Sequence, residues 1–167
     1  MQITCLAHQI LPASPHSVFE LMVDPDRFPS TFSGYGLIPA IRSIELEHPL
    51  AVGTTRRIQN ADGSRLSEQV TALDRPAHQA YTLRGFRAPF SWLVSHADAD
   101  WSITPATTGS LVRWRYTFTL SSVWAYPLAA CVLHLFMARA MQRCLQNMDR
   151  VLAADAPQKT ASAKEHA

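Results

Sequence analysis

No catalytic signature stands out in this sequence. It has no G-x-S-x-G, no H-E-x-x-H, no C-x-x-C and no glycine-rich phosphate loop. Those gaps remove the commonest hydrolase, zinc-protease, dithiol and nucleotide-binding readings. Cysteine is scarce: Cys5, Cys131 and Cys144 are all there are, and the last two lie too far apart along one helical stretch to bridge. Three reduced thiols fit a cytosol-like compartment, so a cytoplasmic location is expected. The opening M-Q-I-T-C-L-A-H-Q-I lacks the basic and apolar segments of a signal peptide. Lysine is confined to Lys159 and Lys164, and the net charge is only +2, too little to expect a nucleic-acid partner. From Val123 to Ala138 no residue carries a formal charge. That run is shorter than a bilayer span and contains Pro127, so it reads as a buried helix face. Peripheral membrane or dimer contact through Trp124 and Tyr126 is the other expectation for it.

What is present is enough for one folded domain. The chain has 167 residues, 47% hydrophobic and 17% charged, which supports a sizeable core. The stretch Ser121–Ala154 organises it. Ser121 or Ser122 suits a helix N-cap, and Pro127 falls in the first turns. Leu128, Cys131, Val132, Leu135, Ala138, Met141, Leu145, Met148 and Leu152 then recur at three- and four-residue steps. From Ser122 to Leu152 this predicts a rod roughly 45 Å long. Such a one-sided helix needs a broad surface to lie on.

The preceding chain supplies strands. A first strand is expected over Ile3–Leu11, and Ser14-Pro15 then opens a short helix through Val18, Phe19, Leu21 and Met22. Asp24-Pro25 starts a second turn or short helix reaching Phe32. The loop Ser33-Gly34-Tyr35-Gly36 is suited to frame an opening. Further strands are predicted over Ala40–Glu47, Thr54–Asn60, Ser64–Asp74, His78–Phe86, Leu93–Ile103 and Leu111–Leu120. Ala61-Asp62-Gly63 reads as a tight hairpin turn. The predicted domain covers residues 1–154, and 155–167 is small and polar enough to expect a disordered tail. The result is an α+β chain with helices on one side of an antiparallel sheet.

The phrases I-L-P-A-S-P-H-S-V-F-E-L-M-V-D-P-D-R-F-P, P-L-A-V-G-T, D-G, E-Q-V-T-A-L-D and F-M-A-R-A-M-Q-R-C-L-Q-N-M follow in this order. Together, over about residues 3–153, they resemble the START-like or SRPBCC superfamily, in its polyketide cyclase/dehydrase-like branch. The resemblance implies a helix-grip fold: a curved antiparallel sheet of about seven strands wraps the long C-terminal helix, with two short helices after the first strand. It also implies an apolar pocket between sheet and helix for a hydrophobic small molecule or lipid.

Strand alternation names the residues that would face such a pocket. They are Leu66, Glu68 and Val70 on the fourth strand, Tyr81 and Leu83 on the fifth, Trp101 on the sixth, and Trp114, Tyr116 and Phe118 on the seventh. The helix would add Leu128, Cys131 and Leu135. This set is aromatic with few polar members, as ligand pockets are. Glu68 is the inward carboxylate. Burial should raise its pKa unless Arg56 or Arg57 from the neighbouring strand reaches it.

His96, Asp98 and Asp100 alternate on the opposite face, too widely spaced along a strand for one metal ion. Pairing across to Arg113 or Arg115 is expected there instead. No metal and no cofactor is expected. Two functions follow: a carrier or sensor of a hydrophobic molecule, or a cyclase/dehydrase-type enzyme using the same cavity. In the enzyme, Glu68 would move the proton and Tyr81 or Tyr116 would steer an enolate oxygen.

Overall fold

The computed structural model describes residues 1–165, with side chains as far as Asp155. Ten residues, Gln2–Leu11, form β1, turning Ile3, Cys5, Ala7 and Leu11 inward. Helix α1 (Pro15–Val23) opens as its sequence predicts: Ser14 Oγ accepts from Ser17 N–H, with proline at the first helical position. A single turn, α2 (Phe28–Thr31), follows. Then come β2 (Ile41–Leu46), β3 (Thr55–Asn60), β4 (Arg65–Asp74), β5 (His78–Arg84), β6 (Val94–Ala106) and β7 (Gly109–Leu120).

All neighbours are antiparallel, in the order β1-β7-β6-β5-β4-β3-β2. The first two strands therefore lie at opposite edges, and α1 and α2 bridge between them. Register shifts at Ile41/Ser43, Val70/Ala72 and Val94/His96 mark irregularities of the kind that bend a sheet. At the last of these, Val94 is buried where alternation alone favours Leu93. Gly109 has φ +134°, and a Cβ there would stand 2.0 Å from Leu11 O, so the β6–β7 turn needs glycine.

The closing helix is not one regular rod. Ser122 Oγ accepts from Trp124 N–H and opens a 3₁₀ turn, Val123–Ala125. Helix α3 (Tyr126–Val132), a π turn (Leu133–Met137) and α4 (Ala138–Glu165) follow without a break. The π turn changes which residues face the sheet. Counting back from Met141, Met137, Leu133 and Ala129 are buried at steps of four, with Ala140 and Val132 buried beside them. A π turn holds more residues than an α turn, so it rotates everything before it. Cys131 and Leu135, expected inward, are exposed for that reason, while Val132 stays buried and Leu128, though exposed, still reaches the cavity.

Beyond the π turn the prediction and the structure agree. Met141, Leu145, Met148 and Leu152 are all buried. Arg27 pairs with Asp155, fastening this helix to the start of α2. Helix α4 reaches Glu165. Of the disordered tail expected over 155–167, the side chain of Asp155 is described and paired, and those after it lie outside the described residues.

Candidate functional site

Sheet and helix do not meet everywhere. Between them lies a cavity of about 650 Å³, open on one side. Leu66, Glu68, Tyr81, Leu83, Trp114, Tyr116, Phe118 and Leu128 all line it. The alternating strands bring their side chains together as a continuous wall, with Tyr116 near Tyr81, Trp114 and Phe118 at ring-centroid distances of 6.3, 5.6 and 4.7 Å.

Four expected members do not reach the space. Trp101 is buried behind Trp114, stacked on it at 4.1 Å between centroids, with Phe28 edge-on at 6.2 Å. Val70 is buried beside the β4 bulge and does not line the space. Cys131 and Leu135 are turned outward by the π turn.

Other lining residues were not anticipated. Phe28 and Phe32 come from around α2, Ile44 from β2, Ile58 from β3, and Phe86 to Phe90 with Trp92 and Leu93 from the segment after β5. The signal for Ile44 and Ile58 was present in the alternation of their strands. The loops carried no periodic signal at all.

The lining is chemically divided. Its inner polar group is Glu68, which sits directly opposite Arg56 in the β3–β4 ladder. Arg56 Nε donates to Glu68 Oε1 at 2.6 Å, and Nη2 donates to the same oxygen. Both side chains are almost fully buried, and the guanidinium lies over the Tyr81 ring at 5.8 Å. Burial pushes the Glu68 carboxyl up, with Arg56 pulling against it. Burial likewise pushes the Tyr81 and Tyr116 phenols well above their ordinary range, so both remain O–H groups near neutrality. Trp101 Nε1 donates to Tyr81 Oη at 3.4 Å.

At the mouth, the β3–β4 hairpin tip forms a polar lip. Asp62 accepts from Ser64 N–H at 2.9 Å and Ser64 Oγ at 2.6 Å, which lowers its pKa. Leu37, Trp92 and Leu128 form the apolar lip.

The outer face of the last hairpin departs from expectation. Asp98 and Asp100 do not pair with Arg113 or Arg115. Asp98 Oδ1 accepts from Thr82 Oγ1 at 2.6 Å, and Asp100 Oδ2 stands 3.0 Å from His78 Nε2. Both partners are on β5, the other neighbour of β6, where shorter side chains meet the carboxylates directly. Among the described residues, no group of three His, Cys, Asp or Glu is placed to hold a metal ion. Asp100 is half exposed, so Asp100→Ala should change stability by only about 0–1 kcal/mol. Thermal melting of the variant measures this, and a loss well above that range would mean the carboxylate carries structural weight.

All three cysteines are free. Cys5, 3.6 Å from Leu133 O, is raised to about 11 by burial, and Cys144 to about 12. Neither is a ready thiolate nucleophile.

The geometry has counterparts among solved structures. A Mesorhizobium loti protein matches with a TM-score of 0.67 and 13% identity, over 91% of this chain and 98% of the other. Ara h 8.0201 matches at 0.65 and 17%, over 92% and 99%. The di-domain ARO/CYC StfQ of the steffimycin biosynthetic pathway matches at 0.70 and 11%, over 94% of this chain and 53% of that one. At these identities the likeness concerns the fold, which is the helix-grip arrangement. No curated protein matches the sequence. Residues 4–153 match the family described as polyketide cyclase / dehydrase and lipid transport, and with that match spanning nearly the whole folded region, the chain belongs to this family.

Proposed function

We propose that the protein binds a hydrophobic small molecule or lipid in this cavity, as a carrier or sensor. The observation that carries the reading is the cavity itself: about 650 Å³, walled by aromatic and aliphatic side chains, with few polar groups. Small-molecule sites have this size and composition, about 300–1,000 Å³ and mostly apolar. The twelve residues proposed from sequence reduce to the eight that line the space, joined by Phe28, Phe32, Ile44 and Ile58. Three free thiols, with Cys131 exposed, favour a reducing, cytoplasmic setting.

A second reading is cyclase or dehydrase chemistry. It is favoured by Glu68, Tyr81 and Tyr116 all lining one cavity. Glu68 would take or give the proton, and a neutral phenol would donate to an enolate oxygen. The Arg56 pair already occupies Glu68 Oε1, which weighs towards binding.

Mass spectrometry of the purified protein under native conditions should reveal a co-purifying apolar molecule. Added fatty acids or polycyclic aromatics should change tryptophan emission through Trp114. At a hundredfold excess over Kd, such a ligand should stabilise the fold by about 2.7 kcal/mol. If chemically distinct apolar compounds leave both emission and melting temperature unmoved, the carrier reading fails.

A further inference from the structure

The cavity opens through an apolar rim built from three separate segments. Leu37 follows β-bridged Tyr35, Trp92 ends the 3₁₀ turn Phe90–Trp92, and Leu128 lies in the first turns of the closing helix, with Trp124 one turn before it and outside the cavity lining. Their exposures are high: 67% for Leu37, 71% for Trp92, 89% for Trp124 and 60% for Leu128.

The rim is held in place. Ser121 Oγ donates to Ser91 O at 2.8 Å, tying the helix start to the Trp92 turn. Gly36 has φ +57°, and a Cβ there would stand 2.3 Å from the Phe136 ring, so the Leu37 loop rests directly on the π turn. The two tryptophans outside the core both belong to these segments, while Trp101 and Trp114 are interior.

We infer that this rim docks on the surface of an anionic lipid bilayer, through which apolar ligand enters or leaves the cavity. Tryptophan beside aliphatic side chains suits the boundary between headgroups and acyl chains. Charge points the same way. Residues 35–39, 84–93 and 121–139 contain no Asp or Glu, but they contain Arg84, Arg87 and Arg139. Across the mouth Asp62, held as a carboxylate by Ser64, faces the charge of Arg87, so three arginines stand against one acid.

A second copy of this chain is a poorer occupant. Two-fold pairing on this face would set three arginines against three, with only Asp62 of each copy to meet them, and would seal the opening. The chain would lie on the bilayer rather than span it. The helical run Val123–Asp155 is long and apolar enough to cross a membrane, and only 28% of its most apolar window is buried. Its later half, however, carries Met141, Leu145 and Met148 into the core. The inference rests on the ligand-carrying reading for its purpose, yet it is measured independently.

The test is co-sedimentation with vesicles of phosphatidylcholine, alone or with about 30% phosphatidylglycerol. Wild type should bind the mixed vesicles, with a blue shift in tryptophan emission. Trp92→Glu combined with Trp124→Glu should bind at least roughly tenfold more weakly. Its melting temperature should stay unchanged, because both side chains are exposed. Leu6→Glu, a charge placed on the exposed outer face of the sheet, should bind as wild type.

The inference is overturned by absent vesicle binding, by a double variant that binds normally, or by equal harm from Leu6→Glu. It is also overturned if sedimentation velocity shows a dimer that the double variant dissolves. An apolar fluorescent probe offered in solution separates the two ideas. If the probe binds and vesicles do not, docking fails and carriage stands. If vesicles bind and no probe enters, carriage fails and docking stands.

Discussion

Replacing Arg56 by methionine is expected to cost the fold about 3–5 kcal/mol at neutral pH, because it leaves Glu68 buried without its partner. For a domain of this length, that corresponds to a fall in melting temperature on the order of 10 °C. The pair is unusually committed. Two guanidinium nitrogens converge on one carboxylate oxygen, while Arg56 Nη1 is buried with no partner.

The loss should depend on pH in a definite direction. Burial holds the Glu68 carboxyl above its ordinary range, against the pull of Arg56. A carboxyl raised on folding favours the fold below its ordinary value, and that contribution is lost as pH rises through the folded value. Without Arg56 the folded value climbs further, and the penalty at neutral pH grows. Below about pH 4 Glu68 is protonated in both states, so the cost should shrink towards that of the lost hydrogen bonds. Urea denaturation across this range measures it.

Arg56→Met combined with Glu68→Leu removes both charges, and should return stability to wild type or exceed it by about 1–4 kcal/mol. A single variant within about 1 kcal/mol of wild type would contradict this account of the pair. A double variant as unstable as the single one would do so as well.

The pair also shows how far alternation carries an argument. On β3, Arg56 shares its face with Ile58 and Asn60, and on β4 Glu68 shares its face with Val70. Period two puts both charged groups indoors and names the candidate partner. It turns Arg57 to the other face, but it does not say which residue of β3 stands directly opposite Glu68, since register decides that. That register is a property of the whole sheet. The structure sets Arg57 outside, paired with Glu47.

The helix failed in a different way. Its stripe was legible from Met141 onward because the α period holds there. Before that, nothing in Leu133–Met137 announces a π turn, since the turn is a response to packing. One irregular turn was enough to move Cys131 and Leu135 out of the site. The Asp98 and Asp100 partners were missed because β6 has two neighbours, and sequence pattern does not rank them. The loops that close the mouth have no period to read. Leu37 and Trp92 could be found only in three dimensions.

Trp101→Ala is expected to be among the most damaging core substitutions, costing about 3–5 kcal/mol. Alternation gives Trp101 and Trp114 equal standing, both inward on adjacent strands and directly opposite in register. The cavity tells them apart. Trp114 lines the cavity, while Trp101 does not and is stacked against it at 4.1 Å and 21° between planes, both with almost no exposed surface. Removing the Trp101 indole leaves a void against the stacked face of Trp114. It also deprives Tyr81 Oη of the Trp101 N–H that it accepts.

Trp114 then has room to sink, so the cavity wall should lose its shape along with its support. Two measurements follow. The denaturant midpoint should fall steeply for Trp101→Ala, less for Trp101→Phe, and by no more than about 0.5 kcal/mol for the exposed Trp92→Ala. Ligand-induced emission, which in the Trp101 variants would come from Trp114 and the two exposed rings, should weaken even where the variant remains folded. A Trp101→Ala protein that loses less than about 1 kcal/mol would show that the site had collapsed around the missing ring. In that case Trp101 would not be what holds Trp114 at the cavity wall.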